Sequence, residues 1–201
     1  AFPDLQRVSS YCLPRNLAKK TVEELAQLKD AGLEILYVGM ESGDDEILRR
    51  VNKGETWEST RSALLKIREA GLTSSVMVLN GLGGENLSRQ HAINTATLCN
   101  ETQPDYLSTL VVSFPQGEER FREGFGDDFV PLSQKGLFEE IRLFLEHLEL
   151  DKTIFRSDHA SNYLVLKGTL GRDKQKMLDQ VNLAITNPGA APLRAEWMRG
   201  L

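Results

Sequence analysis

Glu41, Ser42, Gly43 and Lys53 raise the question of chemistry in this 201-residue chain. They lie in "YVGMESGDDEILRRVNKG", Tyr37 to Gly54. An apolar run breaks at Gly39, the acid, hydroxyl and glycine fall at the turn, and a short helix pattern follows, rich in basic residues at its end. A carboxylate just past a strand can accept hydrogen bonds from ribose hydroxyls or from an amine. A structural reading stands beside this one. Acids are favoured at a helix start and cations at its end by the helix dipole. Asp44, Asp45 and Glu46 serve that role better than Glu41, whereas Lys53, after Arg49 and Arg50, fits it well.

Three further stretches carry candidate groups. "NGLGGEN", with Gly81, Gly83 and Glu85, could cradle a nucleotide or adenosine group through its backbone, or could be a tight turn that needs glycine for positive φ. It is neither a Walker A loop nor a dinucleotide fingerprint. "SFPQGEE" forms a third turn. "RSDHASNY" gathers Arg156, Asp158, His159, Asn162 and Tyr163, a polar run that needs either solvent or a binding role. His91 and His147 lie in helix patterns, His147 on the polar side. Cys99 falls on an apolar helix face, as a core thiol would, and Cys12 alone makes no metal site. No residue is singled out as catalytic, and none as a metal ligand.

The elements that position these groups alternate. "RVSSY" reads as a short strand, reached from a leading loop at residues 1–6. "TVEELAQLKDAG" opens with Thr21 and Glu24 at capping-box spacing and closes on Gly32. "EILYVGM" is a continuous apolar run, as in a parallel strand buried on both faces. "TWESTRSALLKIREAG" is a helix with Trp57, Leu64 and Ile67 inward; "SSVMVLNG" is a strand. "NLSRQHAINTATLCNE" is a helix with Ala92, Ile93, Ala96 and Cys99 on one face, and "DYLSTLVVS" is a fourth strand. Ala-Gly-Leu recurs at Ala31 and Ala70, each time between a helix end and a strand. Repeated βα units imply a parallel sheet with right-handed crossovers, in a TIM-type barrel, part of one, or a doubly wound sheet. Working groups then gather at the carboxyl ends of the strands.

After Phe114 the pattern changes. Residues 115–131 read as a long loop. "SQKGLFEEIRLFLEHLEL" is a strongly amphipathic helix, with Leu137, Phe138, Ile141, Phe144, Leu145 and Leu148 on one side. Residues 151–171 are irregular, with room for a strand; a last helix carries Met177, Leu178, Val181 and Ile185 inward, and a loose tail follows. Two units are expected, 1–130 and a helical extension over 131–201 packed on it. The chain is ordinary for a soluble globular protein at 40% hydrophobic and 26% charged residues. A net charge of −5 argues against nucleic acid as the main partner, since phosphate binding needs a positive field. No apolar run reaches membrane-spanning length, and the expected compartment is the cytoplasm.

Taken in order, these turns resemble the radical S-adenosylmethionine (SAM) superfamily. "YVGMESGDDEILRRVNKG" is similar to the family's fourth-strand segment, with G-x-E-S-G and then a helix ending Asn-Lys-Gly. "VMVLNGLGGEN" is similar to the fifth-strand Gly-Leu-Pro-Gly-Glu-Thr, with Gly83 in place of proline and Asn86 in place of threonine. "FRSDHASNYLVLKGTLGRDK" resembles a C-terminal signature of one bacterial group in the family. The resemblance implies an α/β fold, a partial (β/α)6 TIM-type barrel of which this chain supplies about strands three to six. It also implies that SAM lies across the strand ends, with Glu41 near the ribose, Ser42 in the same turn, Lys53 at the methionyl carboxylate, and Gly81 to Glu85 bordering the adenine. Arg156, His159, Asn162 and Tyr163 would line the substrate side.

The family holds a [4Fe–4S] cluster with Cys-x3-Cys-x2-Cys, and an electron from it cleaves SAM to a 5′-deoxyadenosyl radical. Thiolates are the ligands such a cluster needs. Cys12 and Cys99 cannot supply that triad. The expectation is therefore the C-terminal part of a longer oxidoreductase-like enzyme, inactive alone, with SAM, the cluster and an electron donor acting in the parent on a substrate the sequence does not name. The alternative expectations are a non-catalytic barrel-derived module that binds a small molecule or a protein, and, behind it, an ordinary TIM-barrel lyase or aldolase.

Overall fold

The computed structural model describes residues 7–114, 117–126 and 129–200. The leading loop expected at 1–6 lies outside them, as do positions 115, 116, 127 and 128 of the long loop. Apart from one short helix that the sequence pattern does not mark, α1 (Pro14–Leu17), the first half alternates as the sequence predicts: β1 (Val8–Cys12), α2 (Val22–Asp30), β2 (Leu33–Glu41), α3 (Asp45–Arg50), α4 (Trp57–Glu69), β3 (Thr73–Asn80), α5 (Gly84–Thr102) and β4 (Tyr106–Val111). Local chemistry sets the boundaries. Thr21 and Glu24 form the predicted capping box of α2. Thr56 and Ser59 cap α4 in the same reciprocal way.

The second half departs from expectation in two places. Within residues 115–131 a helix, α6 (Glu119–Phe125), replaces part of the expected loop. Phe121 and Phe125, four residues apart, stack at 4.7 Å, and Phe114 and Phe129 close around them, so an aromatic cluster outweighs the glycines on either side. The amphipathic helix follows as α7 (Gln134–His147), with its six predicted apolar residues all buried. Residues beyond it then form two strands, β5 (Ile154–Ser157) and β6 (Leu166–Thr169), before α8 (Leu170–Thr186) and a 3-10 turn at Glu196–Met198. The expected four strands become six, and 131–201 is not purely helical. β5 and β6 have four residues each, too short for alternation to stand out.

All six strands lie in one sheet in chain order, parallel from β1 to β5, with β6 antiparallel to β5. Its two faces differ. Leu36, Val38, Val76, Val78, Leu107 and Phe155 pack with the helices in the main core. The alternate positions of β2 to β4, such as Tyr37, Ser75, Met77, Tyr106 and Ser108, are half-exposed. Register places Gly39, Met77, Ser108 and Arg156 in one row across that open face. No helix among the described residues is long and apolar enough to cross a membrane.

Candidate functional site

The turn after β2 is built by four cooperating features. Glu41 has φ +62°, and the Ser42 N–H donates to Met40 O across it at 2.7 Å, the hydrogen bond of a γ-turn at the strained positive-φ side. The pairing with β3 shifts register between Gly39 and Glu41, the signature of a bulge that re-aims a side chain. Gly39 leaves the space into which the Glu41 carboxylate folds; a Cβ there would sit 2.6 Å from Glu41 Oε1. Gly43 meets the α5 backbone, where a Cβ would lie 2.6 Å from Thr95 Cα and 2.7 Å from Asn94 O. The G-x-E-S-G spacing is thus explained by close approach at both glycines.

Lys53 is delivered by the end of α3. Asn52 takes a left-handed φ of +51°, Asn52 N–H donates to Arg49 O, and Lys53 N–H donates to Leu48 O, the two bonds of a Schellman stop. Gly54 then turns the chain at φ +72°. This geometry aims the Lys53 ammonium back at the strand end, where Nζ lies 2.8 Å from Glu41 Oε1. The side chains are only 17% and 20% exposed, so the pair is held in place rather than waving in solvent. Instead of bracketing a space from the two ends of the helix, Glu41 and Lys53 touch. Arg156 shares their face, three strands away from Gly39 in the same row, about 14 Å at ordinary strand spacing. A cleft of about 930 Å³ opens between the end of α3 and α6, lined by Arg49, Arg50, Asn52, Phe114 and Phe121 among others.

Ser42 is corrected from ligand contact to brace. It is wholly buried; its Oγ accepts from Asp44 N–H at 3.0 Å and lies 2.8 Å from His91 Nδ1. The glycine turn is corrected likewise. Gly81, Gly83 and Gly84 are buried under Leu137, Ile47 and Phe129, so the protein's own side chains occupy the space a cradle would offer. Glu85 is exposed, and it faces the groove between α5 and α7, with Ser88, Arg89 and Lys135, away from the Glu41–Lys53 pair.

The polar run after β5 is mostly a splice. Asn162 is buried and donates from Nδ2 to Thr109 O at 2.8 Å, and the Ser161 hydroxyl accepts from Val111 N–H. These side chains continue the β4 ladder where β5 ends. Arg194 donates to the carbonyls of Asp158, His159 and Asn162, and Arg199 lies 3.7 Å over the Tyr163 ring while donating to Ser161 O. Asn162 is therefore structural, and Tyr163 is covered by Arg199. His159 and Arg156 remain exposed.

Two buried groups that spacing does not mark as site residues brace these turns. His91, on α5, is buried, with Nε2 3.0 Å from Leu79 O. Glu140, on α7, is buried and accepts from Gly81 N–H and from the Ser88 hydroxyl, each at 2.6 Å. Burial pushes its carboxyl above the ordinary value, against the opposing pull of the two hydrogen bonds. A carboxylate inside the apolar stripe Leu137, Ile141, Phe144 was the available signal.

The thiols do not fit an iron–sulfur cluster. Burial pushes Cys99 up to about 12 and Cys12 to about 11, away from the thiolate form a cluster requires. Among the described residues no group of three His, Cys, Asp or Glu could hold a metal ion. Glu41 and Lys53 do fit SAM. Their mutual contact uses one ammonium donor and one carboxylate oxygen, so further donors and Oε2 are available for an amino-acid carboxylate and for hydroxyls.

Comparison with known proteins places sequence and fold beside one family. Residues 6–96 match the radical SAM superfamily. A probable threonylcarbamoyladenosine tRNA methylthiotransferase of Methanocaldococcus jannaschii is 26% identical over 125 residues, 60% of this chain and 28% of that protein. The archaeal Elp3 of Methanocaldococcus infernus, with an N-terminal deletion, superposes with a TM-score of 0.62 at 18% identity, covering 88% of this chain and 42% of that one. Methylornithine synthase (PylB) superposes with a TM-score of 0.51 at 14% identity, covering 94% and 50%. These structural likenesses show the fold, and the chain spans half or less of each of the three proteins. Glu41 and Lys53 both lie within residues 6–96, the stretch that matches the radical SAM superfamily.

Proposed function

We propose that this chain supplies the SAM-contacting strand ends of a radical SAM enzyme whose cluster ligands lie outside these 201 residues. The observation that carries the reading is the half-buried Glu41–Lys53 pair, held at the carboxyl end of a parallel strand by a strained turn and a Schellman stop. In this reading Lys53 donates to the methionyl carboxylate and Glu41 accepts from the ribose hydroxyls. Arg156 and His159, exposed near the same strand ends, face the substrate side. SAM bound beside a [4Fe–4S] cluster supplies one-electron chemistry that abstracts hydrogen, with electrons from an external donor. The residues of this chain bind and orient; none of its thiols takes part.

The test is SAM binding by isothermal titration calorimetry, in the longer protein where one is encoded and in the 201-residue chain. Lys53→Met and Glu41→Gln are expected to weaken binding at least tenfold each, since a charge-assisted hydrogen bond contributes roughly 1.5–3 kcal/mol. Unchanged affinity in both variants overturns the assignment.

A further inference from the structure

The turn that presents Glu41 and the turn that follows β3 hang on one imidazole. His91 Nε2 lies 3.0 Å from Leu79 O, and a carbonyl only accepts, so Nε2 carries the proton. In the neutral ring Nδ1 then offers a lone pair. Ser42 Oγ lies 2.8 Å from that lone pair, so the Ser42 hydroxyl donates to Nδ1 while its oxygen accepts Asp44 N–H. The network assigns the tautomer. Thr95, one helical turn on, accepts Gly43 N–H at 2.8 Å and lies 3.5 Å from the same Nδ1. Glu140 fixes the other side of the β3 turn through Gly81 N–H.

This matters because Glu41 is strained. A positive φ costs a non-glycine residue roughly 1–2 kcal/mol and persists only where the surroundings over-determine it. Ser42 is the next residue, and its backbone closes the turn across Glu41. We propose that His91 is a positioning residue. Its neutral Nε2–H form holds Ser42 and Leu79 together and thereby keeps Glu41 in the conformation that meets Lys53. The consequence for ligand affinity rests on the SAM reading above, whereas the brace itself does not.

The experiment separates the two. Nitrogen-15 spectra of the histidines in the 201-residue chain near neutral pH should show His91 with an unprotonated, hydrogen-bonded Nδ1 and a protonated Nε2. Hydrogen exchange then reads the Ser42 amide. In His91→Ala and in the milder Ser42→Ala, exchange at the Glu41–Gly43 amides should accelerate at least tenfold more than at the core amide of Val76. In His91→Asn, whose side-chain oxygen can accept from Ser42, part of that protection should return. An Nδ1–H tautomer, or a uniform change at Val76 and the turn alike, overturns the brace. Titration with SAM follows: affinity about tenfold lower in His91→Ala and partly restored in His91→Asn supports the positioning role. Unchanged affinity in His91→Ala overturns that role while leaving the brace standing. Absence of binding in the unaltered chain and in the longer protein counts against the SAM reading and removes the positioning role with it, while the spectra still decide the brace.

Discussion

Removing either partner of the Glu41–Lys53 pair should cost stability in a way that exposes their coupling. At 2.8 Å two unit charges attract by about 6 kcal/mol at an effective dielectric of about 20, a ceiling that desolvation and side-chain entropy reduce. Exposed pairs measure about 0.2–1 kcal/mol, and breaking a buried pair costs about 3–5. With exposures of 17% and 20% this pair lies between, and the expected coupling is about 1–2 kcal/mol. The assay is a double-mutant cycle of Lys53→Met, Glu41→Gln and the double variant, each followed by urea denaturation. Each single change should destabilise by about 1–3 kcal/mol, and the double should cost clearly less than their sum. Raising salt from 0.05 to 0.5 M should leave most of the coupling, because the contact is far shorter than the roughly 10 Å screening length at 0.1 M. Strict additivity within about 0.3 kcal/mol would refute the claim that these side chains are held together.

Four other outcomes are expected. Gly43→Ala should destabilise by about 2–4 kcal/mol in urea melts, through overpacking on the α5 backbone and loss of the Thr95 bond, while Gly189→Ala, with space around it, should stay within about 0.5. Glu140 is an acid whose folded value is raised, so the folded state binds more protons and its contribution to stability falls as pH rises above the ordinary value of 4.5. Glu140→Gln, whose amide can still accept from Gly81 and donate to Ser88, should flatten that slope relative to the unaltered protein in melts across pH 4–8. Iodoacetamide near pH 8 should alkylate Cys99 only on unfolding and Cys12 slowly, and iron and sulfide reconstitution of the chain should give no cluster absorbance. Arg199→Ala should cost about 1–2 kcal/mol and speed proteolysis near residues 158–163, because it uncovers Tyr163 and frees Ser161 O.

Whatever depends on neighbours a few residues apart is legible along the chain. Helix caps, apolar stripes and the βα alternation are written in spacings of three, four and two, and the Thr21–Glu24 box and the buried face of α7 follow from them. Local order also brings Glu41 and Lys53 forward, because strand, turn and helix follow one another directly. What those groups meet is set by long-range packing. Ser42 reaches His91 across 49 residues, Gly81 reaches Glu140 across 59, and Asn162 completes the β4 ladder from 53 residues away. Such contacts depend on where α5 and α7 pack on the sheet, which no local spacing encodes. Packing therefore turned Ser42 and Asn162 from candidate contacts into braces and filled the glycine turn with Leu137, Ile47 and Phe129. It left Glu41 and Lys53 half-buried on the open face, where each charge keeps both a partner and access to water, and it left Arg156 exposed on the same face.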